Sequence, residues 1–165
     1  SPRQLDLRAH YYDSTKLIRG LIFHQGIEIE ELFPASLPSV TADPLRIGKA
    51  FECLLLNAME SINTSRASGS GAPGLIRVSA AGTEMEGCAG VRFQVWDSGS
   101  GILAETRGKG IEQLFSGAGN ASRPCIDLTV AHAILRGLEG GLKVETVAEG
   151  GYCLSFWLPE AGKNE

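Results

Sequence analysis

The sequence is poor in the residues that mark several functional classes. It has four cysteines, Cys53, Cys88, Cys125 and Cys153, and three histidines, His10, His24 and His132. The cysteines stand far apart without a C-x-x-C pair and the histidines are scattered, so metal-ligand spacing is missing. Four reduced thiols in a cytosolic domain are the expectation. Lys and Arg number 15 against 19 Asp and Glu, a net charge of -4. That balance argues against a nucleic-acid surface, which is built from clustered cations. No run of about 18 apolar residues occurs, so no membrane span is predicted. No charged-then-apolar leader opens the chain, and "SPRQLDLRAH" reads as the start of a piece of something longer. Without a leader, the N-x-[ST] matches at Asn63 and Asn120 read as chance.

What is present suits one domain. The chain has 165 residues, 43% hydrophobic and 21% charged, enough for a real core. The pattern predicts a short strand near 5–8 and a helix from about Asp13 to Gly26, capped by Asp13 or Ser14. "GIEIEELF" (26–33) alternates apolar and acidic residues and reads as an exposed strand. A loop through Pro34, Pro38 and Pro44 follows. Asp43 is a candidate N-cap for a long helix from Pro44 to about Asn63, with Ile47, Phe51, Leu54, Leu55, Ala58 and Ile62 as its apolar stripe. Residues 63–74 read as a loop, "LIRVSAA" and "VRFQVWD" as strands, and the Gly-rich segment of about 99–124 as a lid. A helix over about 126–138 and two strands, "LKVETVA" and "YCLSFWLP", complete the chain. Helices and hairpins mix without regular βαβ alternation. The predicted fold class is α+β: a two-layer sandwich with a mixed, mostly antiparallel sheet covered on one face by helices.

Two stretches carry chemistry. In "ECLLLNAMES", Asn57 interrupts an apolar helix, and an amide is costly to bury without partners. With Glu60 three residues on, it either forms a solvent-facing polar edge or holds a hydrated Mg²⁺, which takes oxygen ligands. In "FQVWDSGSGI", a strand ends at Asp97 and runs into Gly99 and Gly101. This is either a tight turn or a site where a carboxylate accepts from an exocyclic amine such as that of adenine, with glycine backbone close to the ring. Residues 99–104 also match G-x-G-x-x-[GA], but the acidic strand end that dinucleotide binding needs about 20 residues later falls in "GNAS". "RGKGI" is not a phosphate loop, because Leu103 and Gly110 stand where Gly and Ser or Thr belong.

The order and separation of these stretches resemble the Bergerat-type ATP-binding fold: a helix with N-A-x-E, about 40 residues, a strand ending D-x-G-x-G-I, and a glycine-rich lid. Within that superfamily of sensor kinases, gyrase-type topoisomerases, mismatch-repair ATPases and chaperones, the chain is most similar to the catalytic domain of sensor histidine kinases. "SVTADPLRIGKAFECLLLNAMESI" matches the pattern P-x-x-x-x-D-x-x-R-L-x-Q-V-x-x-N-L-x-x-N-A-x-x-A, and "GGLKVETVAEGGYCLSFWLP" the closing hairpin. "LNAMES" looks most like the nitrogen-sensing branch. The resemblance implies one domain over 1–165 that binds ATP with Mg²⁺ in the cytoplasm and passes the γ-phosphate to a histidine on a separate helical dimerisation domain, absent from this chain. A response-regulator receiver domain is the implied further partner. Asn57 would hold Mg²⁺, with Glu60 nearby. Asp97 would bind the adenine amine, Gly99 and Gly101 would line base and sugar, and Ile102 would pack the pocket. Lys109, Arg123 and Arg107 in the lid are either partners of the γ-phosphate, which Lys and Arg commonly meet, or part of a solvated lid surface.

The chain departs from that family at four positions. Cys125 and Asp127 fall on the two glycines of the second glycine box, where backbone N–H groups cradle phosphate. At about 4 Å and an effective dielectric near 20, one like-charge pair costs about 4 kcal/mol, nearly a thousandfold in affinity. Cys53 replaces a polar residue, or the glutamate base of the hydrolytic members, one turn before Asn57. Tyr152 replaces a Thr near adenine. No histidine stands in an H-E-x-x-[NT] context, so the chain by itself is not a complete autokinase. The alternative is a degenerate module with weak or no ATP binding that acts by docking a protein partner.

Overall fold

The computed structural model describes residues 1–69, 71, 73–99, 133–136, 142–145, 147 and 151–162. In chain order the elements are β1 (Arg3–Leu5), α1 (Leu7–Ser14), α2 (Lys16–His24), β2 (Ile27–Leu32), β3 (Val40–Ala42), α3 (Pro44–Ala67), β4 (Gly74–Met85), β5 (Cys88–Asp97), β6 (Leu142–Glu145) and β7 (Tyr152–Pro159). Residues 133–136 are helical. The main sheet has the order β2-β4-β5-β7-β6, and β1 pairs with β3 in a small second sheet. β2 and β4 run parallel, while β4/β5, β5/β7 and β6/β7 are antiparallel. Helices cover one face, as the α+β pattern predicts.

The N-terminal reading differs from the structure in its boundaries. Helix begins at Leu7, not Asp13, because Asp6 caps it by accepting from Arg8 N at 3.0 Å and Ala9 N at 3.3 Å. It breaks at Thr15, where α2 begins. The proline-rich loop contains the short strand β3, and α3 runs four residues past Asn63. The start of α3 is as expected: Asp43 caps it and Pro44 occupies its first turn. β2 alternates until Glu31, which lies in register with the core-facing Val78 and places a carboxylate at the rim of the core. Of the predicted helix over 126–138, residues 133–136 are described, and Leu135 is buried.

The core joins α3 to the sheet through aromatic rings. Phe51 of α3 lies 4.7 Å from Phe93 of β5 between centroids, and Phe93 stacks on Phe156 of β7 at 5.3 Å. Tyr11 of α1 meets both Phe51 and Phe93 at 5.8 Å. Such pairs add about 0.5–1.5 kcal/mol each beyond their burial. Removing the Phe51 ring leaves a cavity between the two layers. Phe51→Ala is expected to lower stability by about 3–5 kcal/mol, and Phe51→Leu by less, read as a fall in the urea midpoint at unchanged slope.

Candidate functional site

α3 carries Cys53, Asn57 and Ser61 at four-residue steps, and all three are buried. β5 ends beneath them at Asp97. Directly across the sheet, Ile76 of β4 and Tyr152 of β7 pair with Asp97 and share its face. Asp97 is 2% exposed. Its Oδ1 accepts two hydrogen bonds, from Ser61 Oγ at 2.7 Å and from Gly99 N at 2.8 Å. Both bonds fall on one oxygen, and Oδ2 accepts none among the described residues. Burial pushes the carboxyl up to about 7, against the lowering pull of Ser61 and Gly99.

The turn after Asp97 is held from two sides. Ser98 N donates to Leu75 O at 3.0 Å, and Leu75 N donates back to Ser98 Oγ at 3.0 Å. At Gly99 a Cβ would lie 2.5 Å from Ser61 Oγ and 2.6 Å from the Ser61 carbonyl group, so any side chain there would push α3 off the strand end. At Gly151 (φ +87°), just before β7, a Cβ would meet Trp96 Nε1 at 2.5 Å and Asp97 O at 2.6 Å. The strand end is thus closely wrapped by backbone.

Asn57 is 3% exposed, and its Nδ2 has no hydrogen-bond partner among the described residues. A buried unpaired amide costs about 1–3 kcal/mol, so this one suits a polar ligand. Glu60, expected on the same face, is exposed and lines an outer groove of about 460 Å³ with Leu56, Met59, Asn63, Thr64 and Ala67. The residue that joins Asn57 over the strand end is Ser61, four positions on rather than three. Sequence reading passed Ser61 by, although the same i+4 step points to it. Glu52, one residue from the position of the hydrolytic base, pairs with Lys49 at 3.9 Å on the surface. Cys53 is wholly buried. Gly101, Ile102, Arg107, Lys109, Arg123, Cys125 and Asp127 lie outside the described residues.

Asp97 costs the fold stability when ionised. Its ordinary value of 3.8 is raised to about 7, so the folded state holds the proton more tightly than the unfolded chain. Its contribution is full below pH 4 and is lost as pH rises through 7. Asp97→Asn removes this dependence while keeping the shape. The stability difference between variant and wild type is expected to move in the variant's favour by about 3 kcal/mol from pH 5 to pH 8, measured by urea unfolding.

Comparison with known proteins agrees with this architecture. Residues 42–162 match the family described as histidine kinase-, DNA gyrase B-, and HSP90-like ATPase. The sensor histidine kinase ZraS of Escherichia coli O157:H7 is 32% identical over 136 residues, which make up 80% of this chain and 26% of that protein. ZraS of Escherichia coli strain K12 is 32% identical over 134 residues, with the same coverage. The chain spans about a quarter of the length of these curated relatives. Among solved structures, the nucleotide-free catalytic domain of histidine kinase ThkA has a TM-score of 0.73 at 22% identity, over 98% of this chain and 99% of that one. The mycobacterial sensor histidine kinase MprB has a TM-score of 0.70 at 18% identity, over 97% and 98%. The chain therefore belongs to the histidine kinase-, DNA gyrase B- and HSP90-like ATPases, and its fold is that of the histidine kinase catalytic domains it resembles.

Proposed function

We propose that this chain is the ATP-binding catalytic domain of a two-component sensor histidine kinase, which donates the γ-phosphate of ATP to a histidine on a separate helical domain. The observation that carries the reading is the Asp97 carboxyl. It is buried at a strand end with Oδ1 tied down and Oδ2 left to accept, the arrangement an exocyclic amine requires. An amine at the purine 6-position donates to such an oxygen, whereas the carbonyl of guanine would face it acceptor to acceptor. Gly99 supplies close backbone at the same point.

Asn57 is the proposed contact to Mg²⁺ and phosphate. Its oxygen is the hard ligand Mg²⁺ takes, and its unpartnered Nδ2 is a donor for a phosphate oxygen. Among the described residues no group of three or more His, Cys, Asp or Glu could hold a metal. That fits an ion bound mainly through one protein group, water and phosphates. The metal's chemistry would be to neutralise charge on the transferring phosphoryl group. Glu60 on the groove side, Gly101 and Ile102 beside the base, and Lys109 and Arg123 at the γ-phosphate complete the proposed set. Cys125 and Asp127 are proposed to weaken affinity without abolishing it.

The proposed partners are dimerisation and phosphoacceptor helices and a response-regulator receiver domain, and the proposed compartment is the cytoplasm. Among the described residues no helix is long and apolar enough to cross a membrane. The replacements at Cys125 and Asp127 favour a second reading, a degenerate module that docks a partner. Calorimetric titration with ATP, with and without Mg²⁺, separates the two. Wild type is expected to bind in the micromolar to submillimolar range, and Asp97→Asn at least about tenfold more weakly, the loss of one charge-assisted hydrogen bond. No binding at millimolar ATP by folded protein would favour the docking reading instead.

A further inference from the structure

The geometry points to Ser61 as a positioning residue for nucleotide recognition: its hydroxyl sets the plane of the Asp97 carboxylate and makes Oδ2 the oxygen that meets the base. This rests on the reading of Asp97 as the adenine contact and adds a residue to it.

A carboxylate turns easily about its last torsion, which is broad and two-fold. Here two donors from different elements converge on one oxygen. Gly99 N reaches Oδ1 from the turn that follows β5, only two residues along the chain. That contact moves with the turn and holds the group locally. Ser61 Oγ reaches the same oxygen from α3, 36 residues away in sequence. It ties the carboxylate to the helix that also carries Asn57, so the two ends of the proposed site are held to one rigid element. Ser61 is 5% exposed, which screens the bond from water.

Protonation follows from the same geometry. Oδ1 already accepts from two donors, so the proton goes to Oδ2 and turns the acceptor for an amine into a donor. The groups that face Asp97 from neighbouring elements are Asn57 and Ser61 of α3, Ile76 of β4 and Tyr152 of β7. Cys153 points to the other face of β7, and burial pushes its thiol up to about 12, so it stays neutral. Among the described residues, Asp97 is thus the group on this face that titrates near neutral pH. Ser61 lowers its midpoint by bonding the ionised form. Removing the hydroxyl therefore raises that midpoint.

The test compares wild type, Ser61→Ala and Ser61→Thr. Alanine favours helix and fills the last position of the N-A-x-x-A pattern, so the variant keeps α3. Two readouts are taken: the Asp97 carboxyl titration by ¹³C NMR without nucleotide, and the Kd from pH 6 to 8.5 for ATP and for purine riboside triphosphate, which lacks the 6-amine. In Ser61→Ala the carboxyl midpoint is expected to rise. ATP affinity at pH 7.5 is expected to fall about tenfold, the preference for ATP over the amine-free analogue to shrink by a similar factor, and Ser61→Thr to restore both. A merely structural role would weaken both nucleotides alike and leave their ratio unmoved. Unchanged midpoint, ratio and pH profile in folded Ser61→Ala overturns the role of Ser61 while leaving Asp97 as the adenine contact. Failure of wild type itself to bind either nucleotide overturns that contact, and the role of Ser61 with it.

Discussion

The register of α3 along β5 is the constraint on which the site depends. Phe51 packs on Phe93, and ten residues on along the helix Ser61 bonds Asp97, four residues on along the strand. A helix advances about 15 Å over ten residues and a strand about 13 Å over four, so the two contacts are close to commensurate. Packing at one end therefore sets a hydrogen bond at the other. Interiors are packed densely enough to transmit that distance, and a slip of one turn would carry Ser61 and Asn57 off the strand end. Tyr11, which meets both Phe51 and Phe93, brings α1 into the same contact.

That contact places an expensive group. A carboxylate at 2% exposure, balanced by two hydrogen bonds and no cation among the described residues, is poor economy for a core. The polar groups on the other face of the sheet differ. There Gln94 and Ser155 donate to the two oxygens of Glu145, each at 3.1 Å, in a satisfied set. Among the described residues, Asp97 and Asn57 are left incomplete on the helix-covered face, and incomplete buried polar groups concentrate where a ligand completes them. The architecture shared with histidine kinase catalytic domains is the same sheet and helical layer. In this chain the serine on Oδ1 ties that helical layer to the strand end.

Much of the fold was legible in the sequence. Asp43, Pro44 and the three- and four-residue spacing of apolar positions announced α3, and alternation announced β4 and β5. Asn57 and Asp97 stood out because each is a polar residue where the local period calls for an apolar one. The break at Thr15 and the short pair of β1 with β3 were not legible, because both depend on contacts with distant segments. Glu31 was not legible for the same reason: the apolar–acidic alternation breaks there, and the core edge beside Tyr11 receives its carboxylate.

Sequence by itself determined which residue types lie on which local face, since helix and strand periods are properties of the backbone. It marked Asn57 as a polar break in an apolar helix and put Asp97 at a strand end, while the burial of Asn57 came from the packing of that helix. Only the tertiary structure decided that Ser61, 36 residues before Asp97, would share one oxygen with Gly99, the other accepting no hydrogen bond among the described residues. No local period relates a helix position to a strand position. Their meeting is set by how far two rigid elements run from a common aromatic contact, and that distance exists only once the layers have packed.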